Sequence, residues 1–209
     1  MALILIFAKP PVKGKVKTRL IADLGELVAT DIYRYCLDYT LNLVRQSGLD
    51  YQIWLSEDSN DPIFQGEAYN LQKGTDLGSR MLQAISSQLQ RQTTDNPKII
   101  LIGSDCLDMS LGHFQQAIEA LCSHDIALLP ALDGGYALIA CGKIEAQLFA
   151  GVDWSTGSVF EQTLKNARTM EYRVSVLESV RDIDTLQDVN HYAGLKSLLP
   201  GTKEPPINS

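Results

Sequence analysis

Two rhythms of apolar and polar positions alternate along the chain. Leu3 to Ala8 is a short apolar run that reads as a buried strand. Val28, Ile32, Tyr35, Tyr39 and Leu43 then recur at helical spacing, and Gly48 stands where a helix would stop. Tyr51 to Leu55 alternates weakly as a second strand, Asp58 to Asp61 is a polar turn closed by Pro62, and a short strand follows around Ala68 to Leu71. Leu77, Met81, Ile85 and Leu89 step by four and predict a helix, whereas Ile99 to Ile102 is a continuous apolar run suited to a central strand covered on both faces. Phe114, Ile118 and Leu121 mark another helix, and Ile126 to Leu129 another strand. Asp133-Gly134-Gly135 separates that strand from Tyr136 to Ala140. Val159, Phe160 and Leu164 predict a helix, Tyr172 to Leu177 a last strand, Asp182-Ile183-Asp184 a turn, and Leu186 to Leu199 a last helix.

Strands alternating with helices predict an α/β fold with a mostly parallel central sheet and helices on both faces. The two strands about Asp133-Gly134-Gly135 add a small antiparallel insertion. There is no internal repeat and no linker, so residues 1–200 read as one domain, with 201–209 as a flexible tail carrying Gly201 and two further prolines. The 209 residues, 45% hydrophobic, suffice for one sizeable core. A formal net charge of -7 argues against nucleic-acid binding. No apolar run approaches the roughly 18 residues of a membrane span. Met1-Ala2 leads straight into the first strand and leaves no room for a signal peptide, so a cytoplasmic location is expected. Cys36, Cys106, Cys122 and Cys141 form no Cys-x-x-Cys pair and read as free buried thiols. His113, His124 and His191 lack metal-ligand spacing and read as surface or capping residues.

Against this acidic background, five cations crowd into eleven positions: Lys9, Lys13, Lys15, Lys17 and Arg19. They follow the first strand directly, where open α/β sheets bind ligands. A solvated charged loop is one account of them; a bound polyphosphate is the other. Pro10 and Pro11 stiffen the loop's entry, and Gly14 would let backbone approach a ligand closely.

The string Phe7-Ala8-Lys9-Pro10, followed by Gly14-Lys15-Val16-Lys17-Thr18-Arg19-Leu20, resembles the opening signature of the DUF2064 family. That family groups with GT-A type nucleotide-diphospho-sugar transferases, some labelled arsenosugar-biosynthesis glycosyltransferases, a label no residue here independently supports. A more distant similarity runs to 2-phospholactate guanylyltransferase. The resemblance extends from Phe7 to about Asp188 and implies a GT-A three-layer sandwich and a nucleotide-activated donor. Lys9, Lys13, Lys17, Thr18 and Arg19 would then bind the donor phosphates.

A polyphosphate that reacts calls for a divalent metal, Mg²⁺ or Mn²⁺, and hence for carboxylates near strand ends. Asp105, after Ile99 to Gly103, could bind that metal or cap a turn. The resemblance favours metal, since Gly103-Ser104-Asp105-Cys106 matches the family's acidic motif, although the family's next residue is usually Pro and here it is Leu107. Asp184-Thr185-Leu186-Gln187 fits a capping box. Related nucleotidyltransferases nevertheless carry a late Asp-x-Asp whose second member resembles a metal ligand, which makes Asp184 the partner for Asp105, with Asp182 a weaker candidate. Asp133 could serve only a hairpin, or it could contact an acceptor or act as a base, with the glycine pair letting substrate pass. Thr75-Asp76-Leu77-Gly78-Ser79-Arg80 opens a helix and matches a family string, so Asp76 and Arg80 could meet the nucleotide, ordinary N-capping being the alternative. Trp154 could stack on a sugar, but reads more readily as a core anchor.

No Gly-x-Ser-x-Gly, Walker or Rossmann fingerprint occurs. The expected activity is glycosyl transfer from a nucleotide-diphospho-sugar to a small-molecule acceptor. The alternatives are nucleotidyl transfer from an NTP to a phosphorylated acceptor, and a nucleotide-binding regulatory protein without turnover. An exposed apolar helix face could support a homodimer.

Overall fold

The computed structural model describes residues 2–200, so the tail expected at 201–209 lies outside the described residues. Seven strands build one sheet: β1 (Ala2–Ala8), β2 (Asp50–Leu55), β3 (Tyr69–Leu71), β4 (Lys98–Ile102), β5 (Ile126–Pro130), β6 (Tyr136–Cys141) and β7 (Val174–Val176). Their spatial order is β3-β2-β1-β4-β6-β5-β7. Every pairing is parallel except those of β6, which runs antiparallel to both β4 and β5. The antiparallel element is therefore one reversed strand inside the sheet. The Asp133 turn is too short for a crossover, so the chain must return beside β5.

The helices are α1 (Thr18–Ser47), α2 (Leu77–Leu89), α3 (Leu111–Ala120), α4 (Val159–Thr169), α5 (Leu186–His191) and α6 (Ala193–Lys196). Alternation along β1 divides the core. Ile4, Ile6 and Ala8 pack with Tyr33 and Leu37 of α1 and Phe114 of α3, while Leu5 and Phe7 pack with Met81 and Ile85 of α2 and Ala167 of α4. The result is the expected three-layer sandwich. A third cluster joins Leu20, Ile32 and Cys36 of α1 to Ile183, Val189 and Leu195 near the end of the chain. Leu107 packs against that cluster, so the residue that departs from the family pattern is held by apolar contacts.

Some local expectations shift. In α1 the buried stripe is Ile32, Tyr33, Cys36, Leu37, Leu41 and Val44, whereas Tyr35 is exposed, because the Tyr33 stripe offers the more continuous apolar face to the sheet. Glu171 takes a left-handed turn (φ 57) and the Tyr172 N–H still donates to Ala167 O, so β7 begins later than the apolar pattern suggests. The last helix is split at Tyr192, which is extended. Cys36, Cys106 and Cys141 are buried free thiols pushed up to about 12 by burial, but Cys122 is exposed, against expectation. His113 closes a capping box with Ser110 at the start of α3. Among the described residues no helix is long and apolar enough to cross a membrane.

From β1 the chain moves to β2 on one side, while β4 lies on the other. The C-terminal ends of β1 and β4 therefore diverge side by side, and a crevice opens there. Lys9 leaves β1 at that point, and Ser104-Asp105 leave β4.

Candidate active site

Tyr33 ties the two strand ends together. The Lys9 N–H donates to Tyr33 Oη (2.8 Å), the Tyr33 hydroxyl lies 3.0 Å from Lys9 O, and Ser104 Oγ is 3.1 Å away. Burial pushes the Tyr33 hydroxyl up to about 12, so it stays neutral and able to donate. Tyr33→Phe leaves the Lys9 N–H and O without this partner and is expected to cost about 1–3 kcal/mol in denaturant unfolding.

The basic loop is less uniform than its charge suggests. Lys15 pairs with Glu57 at 3.1 Å, and Lys13 is exposed and does not line the crevice. Gly14 is left-handed (φ 77), and a Cβ there would sit 3.3 Å from Glu26 Oε1, so its close neighbour is α1 rather than ligand space. Lys17 turns inward with left-handed backbone (φ 45) at the N-cap of α1. Its Nζ is 2.9 Å from Asp105 Oδ2 and 3.2 Å from Asp184 Oδ1, with only 4% of the side chain exposed. Burial alone would lower the Lys17 pKa, but the charges of Asp105 and Asp184 win and raise it. For Asp105, burial pushes upward, but the charge and hydrogen bond of Lys17, together with the charge of Lys9 and a backbone hydrogen bond, outweigh it and leave the carboxyl below its usual range. Arg19 Nη1 reaches the other oxygen of Asp184 at 2.8 Å.

Asp182 and Asp184 reach the same crevice by strand-like alternation. Ile183 between them is fully buried, and its N–H donates to Asp105 O at 3.0 Å, so both aspartates face outward. The helix cap falls one residue later than the sequence pattern suggested. Thr185 is the N-cap of α5, with Asp188 completing the box, which frees the Asp184 carboxylate from capping. Asp188 also accepts from the Asp184 N–H (3.2 Å) and from Arg181 Nη1 (2.9 Å), fixing the backbone from below.

Asp133, Asp182 and Asp184 each bring a carboxylate oxygen within 4.8 Å of the others. Burial, then the charges of Asp133, Asp184 and Asp105, push Asp182 up to about 7. Lys17 and Arg19 offset the charge of Asp184, but among the described residues no salt bridge reaches Asp133 or Asp182, and a set of oxygen donors of this kind fits a hard divalent cation. Asp105, expected from the sequence as a metal ligand, lies outside this group, although it shares Lys17 with Asp184. Asp182, the weaker candidate from sequence, lies inside it.

Asp133 sits in the turn between β5 and β6, and its Oδ1 accepts from the Gly135 N–H at 2.8 Å. The glycine pair divides its work. Gly135 lines the crevice, but Gly134 (φ 90) is packed so tightly that a Cβ would lie 2.0 Å from Gly157 O. Gly134 makes room for the Trp154–Gly157 segment rather than for substrate. Gly134→Ala combines backbone strain with a clash and is expected to cost about 3 kcal/mol or more, read as a lower Tm.

Trp154 both anchors and lines the crevice. Its ring meets Phe149 edge-on at 5.7 Å, and a Cβ on Gly78 would come within 2.5 Å of the indole. Asp76 N-caps α2, with Oδ1 accepting from the Ser79 N–H at 2.8 Å, and it does not line the crevice. Arg80 Nε donates to Gly74 O at 3.2 Å, and the Arg80 side chain does line it, as does Thr18.

The crevice has two joined lobes. One, of 440 Å³, is walled by Lys9, Lys17, Thr18, Arg19, Arg80, Ser56 and Gln72. The other, of 430 Å³, is walled by Asp133, Asp182, Trp154, Tyr136, Met81, Leu101 and Val159. Phe7, Lys9, Arg19, Leu77, Asp105 and Asp184 border both. The basic lobe can hold phosphates, and the carboxylates at its edge can hold a cation against them.

A mostly parallel α/β sheet with one reversed strand and a crevice beyond the ends of β1 and β4 is the nucleotide-diphospho-sugar transferase fold. The chain belongs to the DUF2064 family, described as an uncharacterized protein conserved in bacteria, whose sequence profile matches residues 40–156. Both the basic loop and the late Asp-x-Asp fall outside that span. A candidate nucleotide-diphospho-sugar transferase from Desulfovibrio desulfuricans G20 is 30% identical, with 90% of this chain and 84% of that chain covered and a TM-score of 0.82. The 4-diphosphocytidyl-2C-methyl-D-erythritol synthase from Anaerococcus prevotii DSM 20548 shares the fold at 12% identity, 91% and 93% coverage and a TM-score of 0.55. A CMP:2-keto-3-deoxy-manno-octonic acid synthetase complexed with CTP does so at 10% identity, 94% and 98% coverage and a TM-score of 0.53. No match is found among functionally curated proteins.

Proposed function

We propose that this protein is a divalent-cation-dependent glycosyltransferase acting on a nucleotide-activated sugar. One observation carries the reading: the basic lobe and the Asp133, Asp182 and Asp184 carboxylates meet at the sheet's switch point, with Lys17 and Arg19 between them. Lys9, Lys17, Thr18, Arg19 and Arg80 bind the donor diphosphate. Asp133, Asp182 and Asp184 hold the cation, Mg²⁺ or Mn²⁺, which when bound offsets charge on the departing diphosphate. Asp105 keeps Lys17 charged and in place. An acceptor hydroxyl enters beside Asp133 and Asp182, and a carboxylate there takes its proton as the acceptor oxygen bonds the anomeric carbon. The bond from that carbon to the phosphate oxygen breaks, and the electron pair leaves on the nucleoside diphosphate.

Thermal unfolding with nucleoside di- and triphosphates, with and without Mn²⁺, tests this. A ligand at about 100 times its dissociation constant stabilises by roughly 2.7 kcal/mol. A cation-dependent shift with one diphosphate, followed by release of that diphosphate from its sugar conjugate, is the expected result. Triphosphate preference with pyrophosphate release would mean nucleotidyl transfer instead, and binding without turnover a regulatory protein. No shift with any nucleotide would end the donor assignment.

A further inference from the structure

The two lobes differ in charge in a way the donor reading does not use. Among the described residues, every cation bordering the second lobe, Lys9 and Arg19, also borders the first, and Arg19 is bonded to Asp184. The described residues that line the second lobe alone include no lysine, arginine or histidine; their charged members are Asp133 and Asp182. Most of its remaining wall is apolar and aromatic, formed by Trp154, Tyr136, Met81, Leu101 and Val159, with Thr156 as a neutral polar member. Leu77, 43% exposed at the rim, extends that wall.

We propose that this lobe is the acceptor subsite, and that it takes a hydroxyl-bearing molecule with an apolar, ring-sized face and no phosphate or other anionic group. The assignment rests on the donor reading of the basic lobe. A buried phosphate needs cations or directed N–H donors, and this lobe meets an anion with carboxylates instead. A divalent cation held by Asp133, Asp182 and Asp184 would balance the two carboxylates that Lys17 and Arg19 do not pair, leaving no surplus positive charge there for a phosphate. The aromatic wall suits a flat apolar face, with the carboxylates placed to accept from hydroxyls. The consequence is a choice between reactions: a phosphorylated acceptor, which nucleotidyl transfer would use, does not suit this lobe.

The test pairs two probes, phenyl β-D-glucopyranoside and its 6-phosphate, titrated into the wild-type protein by saturation-transfer NMR with and without nucleoside diphosphate and Mn²⁺. The neutral probe is expected to bind at least about tenfold more tightly than the phosphate. Thr156→Lys, on an exposed residue that borders this lobe and not the other, adds a cation and is expected to narrow that preference. Equal or tighter binding of the phosphate by the wild type, or binding of neither probe, overturns the proposal. The nucleotide shift measured alongside keeps the two readings apart. Neutral-probe binding without any nucleotide shift removes the donor assignment alone, and a nucleotide shift with phosphate preference removes the acceptor assignment alone.

Discussion

Lys17→Met is expected to destabilise the fold by about 3 kcal/mol and to abolish turnover. The ammonium is the shared partner of Asp105 and Asp184, and its removal leaves two carboxylates facing each other. Breaking a buried ion pair costs about 3–5 kcal/mol. The lower end applies because 42% of the Asp105 side chain and 27% of Asp184 face the crevice. The pairing also makes a less obvious demand. With Lys17 gone, Asp105 and Asp184 are free to attract a cation, so the variant should bind Mn²⁺ more tightly than the wild type while failing to react. Lys17→Met combined with Asp105→Asn should recover a large part of the lost stability, because the second substitution removes one of the stranded charges. Additive losses in the double variant would show that the two side chains are not coupled.

Asp182→Asn is expected to act in the opposite sense on stability. It removes a carboxylate held among three others, so the cation-free protein should gain about 1–2 kcal/mol. The cation-dependent thermal shift should disappear, and turnover should fall by about 10²-fold or more. The pH dependence has a definite sign. The Asp182 carboxyl is raised from 3.8 to about 7 in the fold, so the folded chain holds a proton the unfolded chain has already released. The cation-free wild type therefore loses stability as pH rises from about 4 to about 7. Cation binding requires that proton to leave, so affinity should weaken up to tenfold per pH unit below about 7. Saturating Mn²⁺ should flatten the stability loss, and Asp182→Asn should remove it. A wild-type profile that is flat across this range without cation would contradict the carboxylate geometry.

Much of the sheet was legible because buried strands leave continuous or alternating apolar runs; Ile99 to Ile102 and Leu3 to Ala8 could hardly be anything else. The Asp-Gly turn gave away the reversal of β6. The candidate site was legible as a set of residue types at strand ends, but not as a set of pairings. Lys17 meets Asp105 and Asp184 across 88 and 167 positions of chain, and no local pattern reports such a distance. Tyr33 was hidden because its stripe of α1 competes with Tyr35, and only the sheet decides between them. Asp182 was undervalued for a related reason. With Asp184 read as either a cap or the metal partner of Asp105, the alternation about Ile183 had no visible purpose for Asp182. Asp188 carried the available signal, since Thr185-x-x-Asp188 is also a capping pattern, and placing the cap there releases Asp184.

The alternation about Ile183 also bears on how sequences of this kind can change length. Most surface loops absorb an inserted or deleted residue by bulging outward, at little loss. Between the Ala131 to Val180 bridge and the Thr185 cap, the chain is held at both ends and buries Ile183 between two aspartates that line the crevice. Removing one residue there would turn the carboxylates into the Leu20, Ile32 and Val189 cluster and Ile183 into the crevice. Substitutions in this stretch can be tolerated one at a time, but its length is fixed, and relatives that keep the cation site should keep that count even where the loops on either side have grown or shrunk.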